Sequence, residues 1–279
     1  MKEFSMKNVN DFELAHIFEC GQCFRWKKEE DGSYTGVIKQ GVLNVKKVGK
    51  NIIFSGEIDG EIEDICKRYF DLERNYTDIK EILCENDENM KLASEYGYGI
   101  RILNQDPWEM IISFIISAAN NIPRISKTIE NISKAYGKEV YYKDKKYYLF
   151  PTAKELSKAS IEDLRKLNLG FRDKYVYEAT RKISSGEIII DDFEKMNTEE
   201  LRKELMKIPG IGAKVADCIL LFSMRRTESF PVDTWIKKVM NELYLDSTNI
   251  TKINQYASKR FGKYAGIAQQ YLFYYKRSN

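Results

Sequence analysis

At 279 residues, with 43% apolar and 31% charged side chains and a formal net charge of +3, the chain is long enough for two or three compact units with a substantial core. No segment approaches the roughly 20 apolar residues of a membrane helix, and the opening Met-Lys-Glu-Phe-Ser-Met-Lys carries no apolar stretch of signal-peptide type. Five cysteines form no even disulfide framework, which fits reduced thiols in a cytoplasm.

The charge is unevenly spread. Residues 1–100 hold 14 Lys+Arg against 20 Asp+Glu, whereas residues 201–279 hold 14 against 6. Positive charge gathered at the C-terminal end suits phosphate contact, although a basic tail without a partner would count the same way.

In chain order, Cys20-x-x-Cys23 comes first. Zinc takes four ligands, yet His16 is the only histidine and no second Cys-x-x-Cys exists, so no zinc site is expected. Residues 23–55 alternate in period two between turn-forming clusters such as Glu30-Asp31-Gly32-Ser33 and Gly49-Lys50-Asn51. This predicts an antiparallel meander. From about residue 61 the period becomes helical, with Ile62, Ile65, Cys66 and Tyr69 on one face. Asp106-Pro107-Trp108 reads as an N-cap with proline at the first helical position, opening an apolar, buried helix over 106–119. A hairpin is expected at Val140–Phe150, turning at Lys143-Asp144-Lys145-Lys146. Thr152-x-x-Glu155 and Ser160-x-x-Asp163 have the pattern of capping boxes, and the remainder reads as helical to Lys276. The predicted class is α+β, with an antiparallel-sheet domain over 1–99 and a mostly helical region of two subdomains over 100–279.

The most informative stretch lies late in the chain. Residues 205–217 read Leu-Met-Lys-Ile-Pro-Gly-Ile-Gly-Ala-Lys-Val-Ala-Asp, and Pro231-Val232-Asp233 comes after them. A helix is expected to break at Pro209-Gly210-Ile211-Gly212, and a second to start at once with Lys214 in its first turn. Gly210 and Gly212 permit unusual backbone conformations and close approach of a ligand, and free amides at a helix start favour an anion such as a DNA phosphate. A lysine near that positive helix end and facing an apolar wall is less comfortable protonated, which makes its amine available as a nucleophile. Plainer readings exist for each part. Gly-x-Gly also makes a tight helix–helix turn, an early-helix lysine is commonly solvated, and Asp233 is a good N-cap for a helix beginning at Thr234.

The co-occurrence of hairpin, Lys214 and Pro231-Val232-Asp233 resembles the helix-hairpin-helix DNA glycosylases. Other fragments, in order, resemble the 8-oxoguanine DNA glycosylases of the eukaryotic type, here in a prokaryotic version. They are Cys20-Gly21-Gln22-Cys23-Phe24-Arg25-Trp26, Gln105-Asp106-Pro107, Asn120-Asn121-Ile122-Pro123-Arg124, Leu169-Gly170-Phe171-Arg172, and Tyr264-Ala265-Gly266-Ile267-Ala268-Gln269 with Leu272-Phe273. The resemblance covers nearly the whole chain. It implies a twisted, TBP-like N-terminal sheet, two helical subdomains with the lesion pocket between them, and a bifunctional glycosylase and abasic-site lyase. The implied partner is double-stranded DNA carrying 8-oxoguanine, bound by a monomer.

By that resemblance Lys214 attacks the sugar C1′ to give a Schiff base, and Asp233 orients the attack and stabilises developing positive charge. Gly21 offers its carbonyl to N7–H of the flipped base, Gln269 bonds its Watson–Crick edge, and Phe273 and Cys218 sandwich the ring. Asn120, Arg124 and Arg172 fill the gap and hold the orphaned base, while Gly210 and Gly212 meet the backbone. The resemblance implies no required cofactor and no iron–sulfur cluster, but a cation held by the backbone carbonyls of Met206, Ile208 and Ile211. Departures from the family pattern are also legible. Ala119 stands where an asparagine touching the opposite cytosine is usual, Phe171 replaces a tyrosine, and Trp235 takes the place of a phosphate-binding histidine. A relaxed preference for the opposite base is therefore expected.

Two rival readings are discriminated by residues. Relatives acting on alkylated bases generally lack the lysine, and those acting on oxidised pyrimidines carry a four-cysteine loop, whereas no cysteine follows Cys218. A non-catalytic hairpin module would need neither Lys214 nor Asp233.

Overall fold

A computed structural model describes residues 1–278. The chain begins with β1 (Lys2–Met6) and α1 (Leu14–Phe18), then β2 (Trp26–Lys28), β3 (Tyr34–Ile38), β4 (Gly41–Val48) and β5 (Asn51–Ile58). These strands form one antiparallel sheet in the order β1-β5-β4-β3-β2. The meander β2–β5 matches the period-two alternation. The alternation did not announce β1, a largely exposed edge strand whose Lys2 and Met6 pair with Gly56 and Ile52 of β5. An edge strand of this kind is specified by its neighbour more than by its own pattern.

One sheet face packs Tyr34, Leu43, Val45, Ile52 and Phe54 against Phe18 of α1 and Cys66, Tyr69 and Phe70 at α2 (Ile62–Tyr69). The next two helices behave differently. Both α3 (Tyr76–Cys84) and α4 (Glu88–Tyr96) contribute Ile79, Leu83, Met90 and Ala93 to the larger helical core. That core is built around α5 (Pro107–Ser117), which is buried along almost its full length and capped by Asp106, whose side chain accepts from Glu109 N. After it, α6 (Ile122–Tyr136) leads into the hairpin β6 (Glu139–Tyr142) and β7 (Lys145–Tyr148). The expected four-residue turn is shorter than predicted. Lys143 and Asp144, at φ of 47° and 60°, form a two-residue turn, and Lys145 already pairs with Tyr142. Two adjacent positive-φ residues give the turn whose twist fits the flanking strands. Tyr142 then packs with Val37 and Val42 on the second sheet face.

Both predicted capping boxes are present, Thr152 with Glu155 at α7 (Ala153–Leu156) and Ser160 with Asp163 at α8 (Ile161–Lys166). Beyond α9 (Asp173–Ser184) comes the pair α10 (Thr198–Leu205) and α11 (Ala213–Ser223), then α12 (Thr234–Met240), α13 (Ile250–Phe261) and α14 (Ala265–Ser278). Among the described residues, no helix is long and apolar enough to cross a membrane.

The α10–α11 hairpin is locked by Arg202, whose guanidinium lies 2.7 Å from the buried Asp217 carboxylate. Its two glycines differ. Gly210 has φ +89°, and a Cβ there would lie 2.9 Å from Tyr175 Cβ of α9. Gly212 is extended, and a Cβ on it would meet nothing. The fold requires the first glycine but not the second.

Where the sheet domain meets α5, Glu109 is buried with Arg25, Oε2 to Nη1 3.6 Å, and Arg25 also donates to the Tyr148 carbonyl. Burial outweighs the arginine and pushes the Glu109 carboxyl up to about 7.

These contacts set two expectations for stability. Gly210→Ala should cost about 1–3 kcal/mol through the positive φ alone, whereas Gly212→Ala should cost only about 0.5–1 kcal/mol, the scale of a poorer N-cap, both read from urea unfolding midpoints. For Glu109, the folded state holds the proton more tightly than an unfolded chain, whose glutamate titrates near about 4.3. The stability of the parent relative to Glu109→Gln should therefore fall as pH rises from about 4.5 to about 7. A pH-independent difference would show that Glu109 does not titrate in that window.

Candidate active site

The loop 19–23 sits where the sheet domain, the segment before α5 and α14 converge, and three of its five carbonyls accept side-chain hydrogen bonds. Arg277 Nη2 donates to Glu19 O at 2.6 Å, Gln270 Nε2 to Cys20 O at 2.8 Å, and Gln105 Nε2 to Gln22 O at 2.8 Å. The Gln22 side chain is fully buried, donating to Ile17 O and Arg101 O at 2.8 Å and accepting from Leu103 N at 2.9 Å. Gly21 lies in the middle with φ +89°. Among the described residues, its carbonyl receives no hydrogen bond. The Cys20 and Cys23 thiols on either side are buried, and burial raises both above the usual range.

Facing this loop, α14 presents Gln269, Phe273 and Arg277 at successive four-residue steps, one stripe of a helix. A Cβ on Gly21 would lie 3.5 Å from Phe273 Cε1, so the ring is close against the glycine. Gln269 is 4% exposed, yet its Oε1 has no hydrogen-bond partner. Leaving a buried amide oxygen unpaired costs about 1–3 kcal/mol, a penalty that a ligand donor at this position would relieve.

The third wall is α11. Its N-cap is Gly212 with no side-chain cap, which leaves the first-turn amides open to an anion. Lys214 occupies that first turn and Cys218 the next, four residues on. Lys214 Nζ lies 5.6 Å over the Phe114 ring, so the apolar wall expected from the sequence is present. The expected consequence is reversed. The Cys218 side chain and then the Asp233 carboxylate hold Lys214 above the usual lysine range, overriding the downward push of burial. In the free protein Lys214 rests as an ammonium. Cys218 itself is buried, which raises its thiol. Asp233 caps α12 by accepting from Ile236 N at 2.8 Å, so the plainer reading of this residue holds, beside its electrostatic reach to Lys214.

Of the predicted DNA-side residues, Asn120 and Arg124 lie at the turn between α5 and α6, and Arg172 reaches that turn from the segment 170–172. Arg124 is exposed. Arg172 is 3% exposed, and its guanidinium donates to Ala118 O (Nε, 2.8 Å), Ala119 O (Nη2, 2.9 Å) and Leu169 O (Nη1, 3.2 Å). It braces the turn after α5 instead of projecting from it. Asn120 is likewise tied, donating to Ile116 O at 3.0 Å and accepting from Asn121 N at 3.0 Å. Ala119 is held at φ 48°. Phe171, 61% exposed, lies with the Arg172 guanidinium 4.3 Å from its ring centroid, and Trp235 is 44% exposed in the first turn of α12. Of the three carbonyls predicted to hold a cation, that of Ile208 accepts from Ile211 N at 3.1 Å. Among the described residues, those of Met206 and Ile211 accept no hydrogen bond. No cluster of three or more His, Cys, Asp or Glu side chains is placed to hold a metal there or elsewhere among them.

Sequence reasoning gave no role to the supporting residues Gln22, Gln105, Gln270, Phe114 and Arg277, although Gln22 and Gln105 stand in two of the fragments that carry the resemblance. Arg277 extends the Gln269–Phe273 spacing by one more helical turn.

Comparison with known proteins fits this geometry. Residues 5–111 match the model of the 8-oxoguanine DNA glycosylase N-terminal domain, and residues 112–262 match that of the HhH-GPD superfamily of base excision DNA repair proteins. A probable N-glycosylase/DNA lyase of Methanothermobacter thermautotrophicus is 32% identical over 96% of this chain and 95% of its own length. The 8-oxoguanine glycosylase/lyase of Clostridium acetobutylicum, solved with double-stranded DNA containing cytosine opposite 8-oxoguanine, is 43% identical with a TM-score of 0.95, covering 100% of this chain and 97% of that one. A structure of MBOgg1 with a low-affinity DNA ligand is 45% identical with a TM-score of 0.96, covering 100% and 96%. The sheet domain, the hairpin with its lysine and these matches along the whole chain agree: the protein belongs to the HhH-GPD superfamily of base excision DNA repair proteins, in its 8-oxoguanine DNA glycosylase/lyase branch.

Proposed function

We propose that the protein binds duplex DNA as a monomer, flips out 8-oxoguanine, excises it through a Schiff base on Lys214, and then cuts the strand by β-elimination. The observation that carries this reading is the free Gly21 carbonyl, set between Cys20 and Gln22, whose carbonyls are both satisfied. An acceptor there favours a base with N7–H. Guanine, which has a lone pair at N7, would oppose one acceptor with another. Gln269 Oε1, buried and unpartnered, is the acceptor for the Watson–Crick edge, and Phe273 and Cys218 flank the ring.

For the chemical step Lys214 must first lose a proton, because the resting ammonium has no lone pair. The free amine then attacks C1′ as the C1′–N9 bond breaks, and the departing base takes the electron pair and a proton. The sugar ring then opens as the nitrogen lone pair forms C1′=N and O4′ leaves with a proton, giving the protonated Schiff base. Its cationic nitrogen takes up the electron pair when a C2′ proton is abstracted, and the 3′ phosphate is expelled. Asp233 stabilises the positive charge developing on the sugar. Gly210, Gly212 and the uncapped α11 amides would receive the DNA backbone, with Trp235 beside them, and the free carbonyls of Met206 and Ile211 are the donors that would hold a hairpin cation.

On the orphaned base, Arg124 alone of the three predicted side chains is exposed and uncommitted to a backbone carbonyl, since Arg172 and Asn120 are engaged. Ala119 has no polar side chain and Phe171 no hydroxyl. Few directional groups remain to reject a wrong partner.

Borohydride should trap the protein on a duplex containing 8-oxoguanine, and Lys214→Gln should abolish trapping while leaving DNA binding largely intact; undiminished trapping would remove Lys214 from the reaction. Asp233→Asn keeps much of the capping, which is worth about 1 kcal/mol, but should slow single-turnover excision on the order of a hundredfold. A rate within a few-fold of the parent would leave Asp233 a cap only.

With four duplexes differing solely in the base opposite the lesion, cytosine should be favoured by only about 1–2 kcal/mol, the scale of one or two hydrogen bonds. Ala119→Asn with Phe171→Tyr should sharpen that preference, and asparagine tolerates the left-handed backbone at position 119. A cytosine advantage above about a thousandfold, roughly 4 kcal/mol, contradicts the relaxed reading.

A further inference from the structure

Beyond the residues that the resemblance assigns, the α14 stripe continues to Arg277. Its Nη1 would lie 3.0 Å from a Cβ on Gly21, nearer than any other atom around that glycine. Its Nη2 is occupied by Glu19 O at 2.6 Å, and its Cζ lies 5.5 Å from the Phe273 ring centroid. Among the described residues, Glu19 O is the only hydrogen-bond acceptor this side chain meets. A cationic donor therefore rests beside the free Gly21 carbonyl and against the ring on which the base would stack.

We infer that Arg277 is a specificity residue of the base pocket, donating to the C8 oxygen of flipped 8-oxoguanine. The inference rests on the function proposed above. In 8-oxoguanine a donor, N7–H, and an acceptor, the C8 oxygen, stand side by side. The loop and α14 offer the complement, an acceptor from Gly21 next to a donor from Arg277. Guanine reverses the first group and lacks the second, having N7 as an acceptor and C8–H. A guanidinium already fixed by one bond to Glu19 O loses little further freedom when a second nitrogen takes up the base. Charge-assisted bonds of this kind are the stronger class.

The test compares parent, Arg277→Ala and Arg277→Lys on two substrates, a duplex with 8-oxoguanine and the same duplex with an abasic site. Strand scission at an abasic site needs Lys214 but no base contact. Arg277→Ala should slow 8-oxoguanine excision under single turnover by about tenfold or more, the scale of one charge-assisted hydrogen bond. Arg277→Lys should recover part of the rate, and both variants should cut the abasic duplex within about twofold of the parent. Excision by Arg277→Ala at the parental rate would overturn the assignment. An equal loss on both substrates would also overturn it, by marking a structural role in tethering α14 to Glu19. A faster rate would show that Arg277 plugs the pocket instead of reading the base. A parent that leaves 8-oxoguanine in place but cuts abasic DNA would instead remove the base-recognition reading on which this one stands.

Discussion

The structure depends on how the loop 19–23 is held. Three buried amide side chains tie this loop down: Gln105 and Gln270 donate to the carbonyls of Gln22 and Cys20, and Gln22, itself in the loop, reaches out to Ile17 O, Arg101 O and Leu103 N. Buried polar groups are tolerable only when satisfied, and a fully satisfied network rigidifies the segment it spans. Its effect is to fix both the orientation of the sheet domain on the helices and the direction of one glycine carbonyl. The same interactions therefore join the domains and shape the proposed base pocket.

Electrostatics in the second half of the site runs against the simplest picture of an activated lysine. Burial over Phe114 alone would favour the neutral amine, yet Cys218 and Asp233 restore the ammonium. A resting cation suits a protein that must first find an anionic polymer. In the proposed reaction the amine must then lose a proton after the substrate arrives, a check on the chemistry beyond recognition of the base. The fold supplies Asp233 for two purposes at once, since the carboxylate that caps α12 also faces the lysine.

At the turn after α5, an arginine expected at the surface is buried instead. Arg172 spends its donors on the carbonyls of Ala118, Ala119 and Leu169. It thereby holds a turn that contains an alanine in left-handed backbone, a conformation disfavoured by about 1–2 kcal/mol for a residue with a Cβ. On the same surface Phe171 and Arg124 are exposed, one apolar and one charged.

The sequence by itself determined the features that short spacing can encode. Period-two alternation located β2–β5, Asp106-Pro107 and the two capping boxes located helix starts to the residue, and Gly-x-Gly with Lys214 located the hairpin and its lysine. These signals are local, because each rests on backbone hydrogen bonds or dihedral preferences within a few residues. Tertiary structure decided everything that required partners distant in the chain. It paired β1 with β5 and drew α3 and α4 into the helical core. It turned Arg172 inward, raised the Lys214 ammonium through Cys218 and Asp233, and set Arg277 beside Gly21 from the far end of the chain. Burial and charge proximity have no sequence periodicity, so the state of an ionisable group and the direction of a carbonyl become defined only once the chain has folded around them.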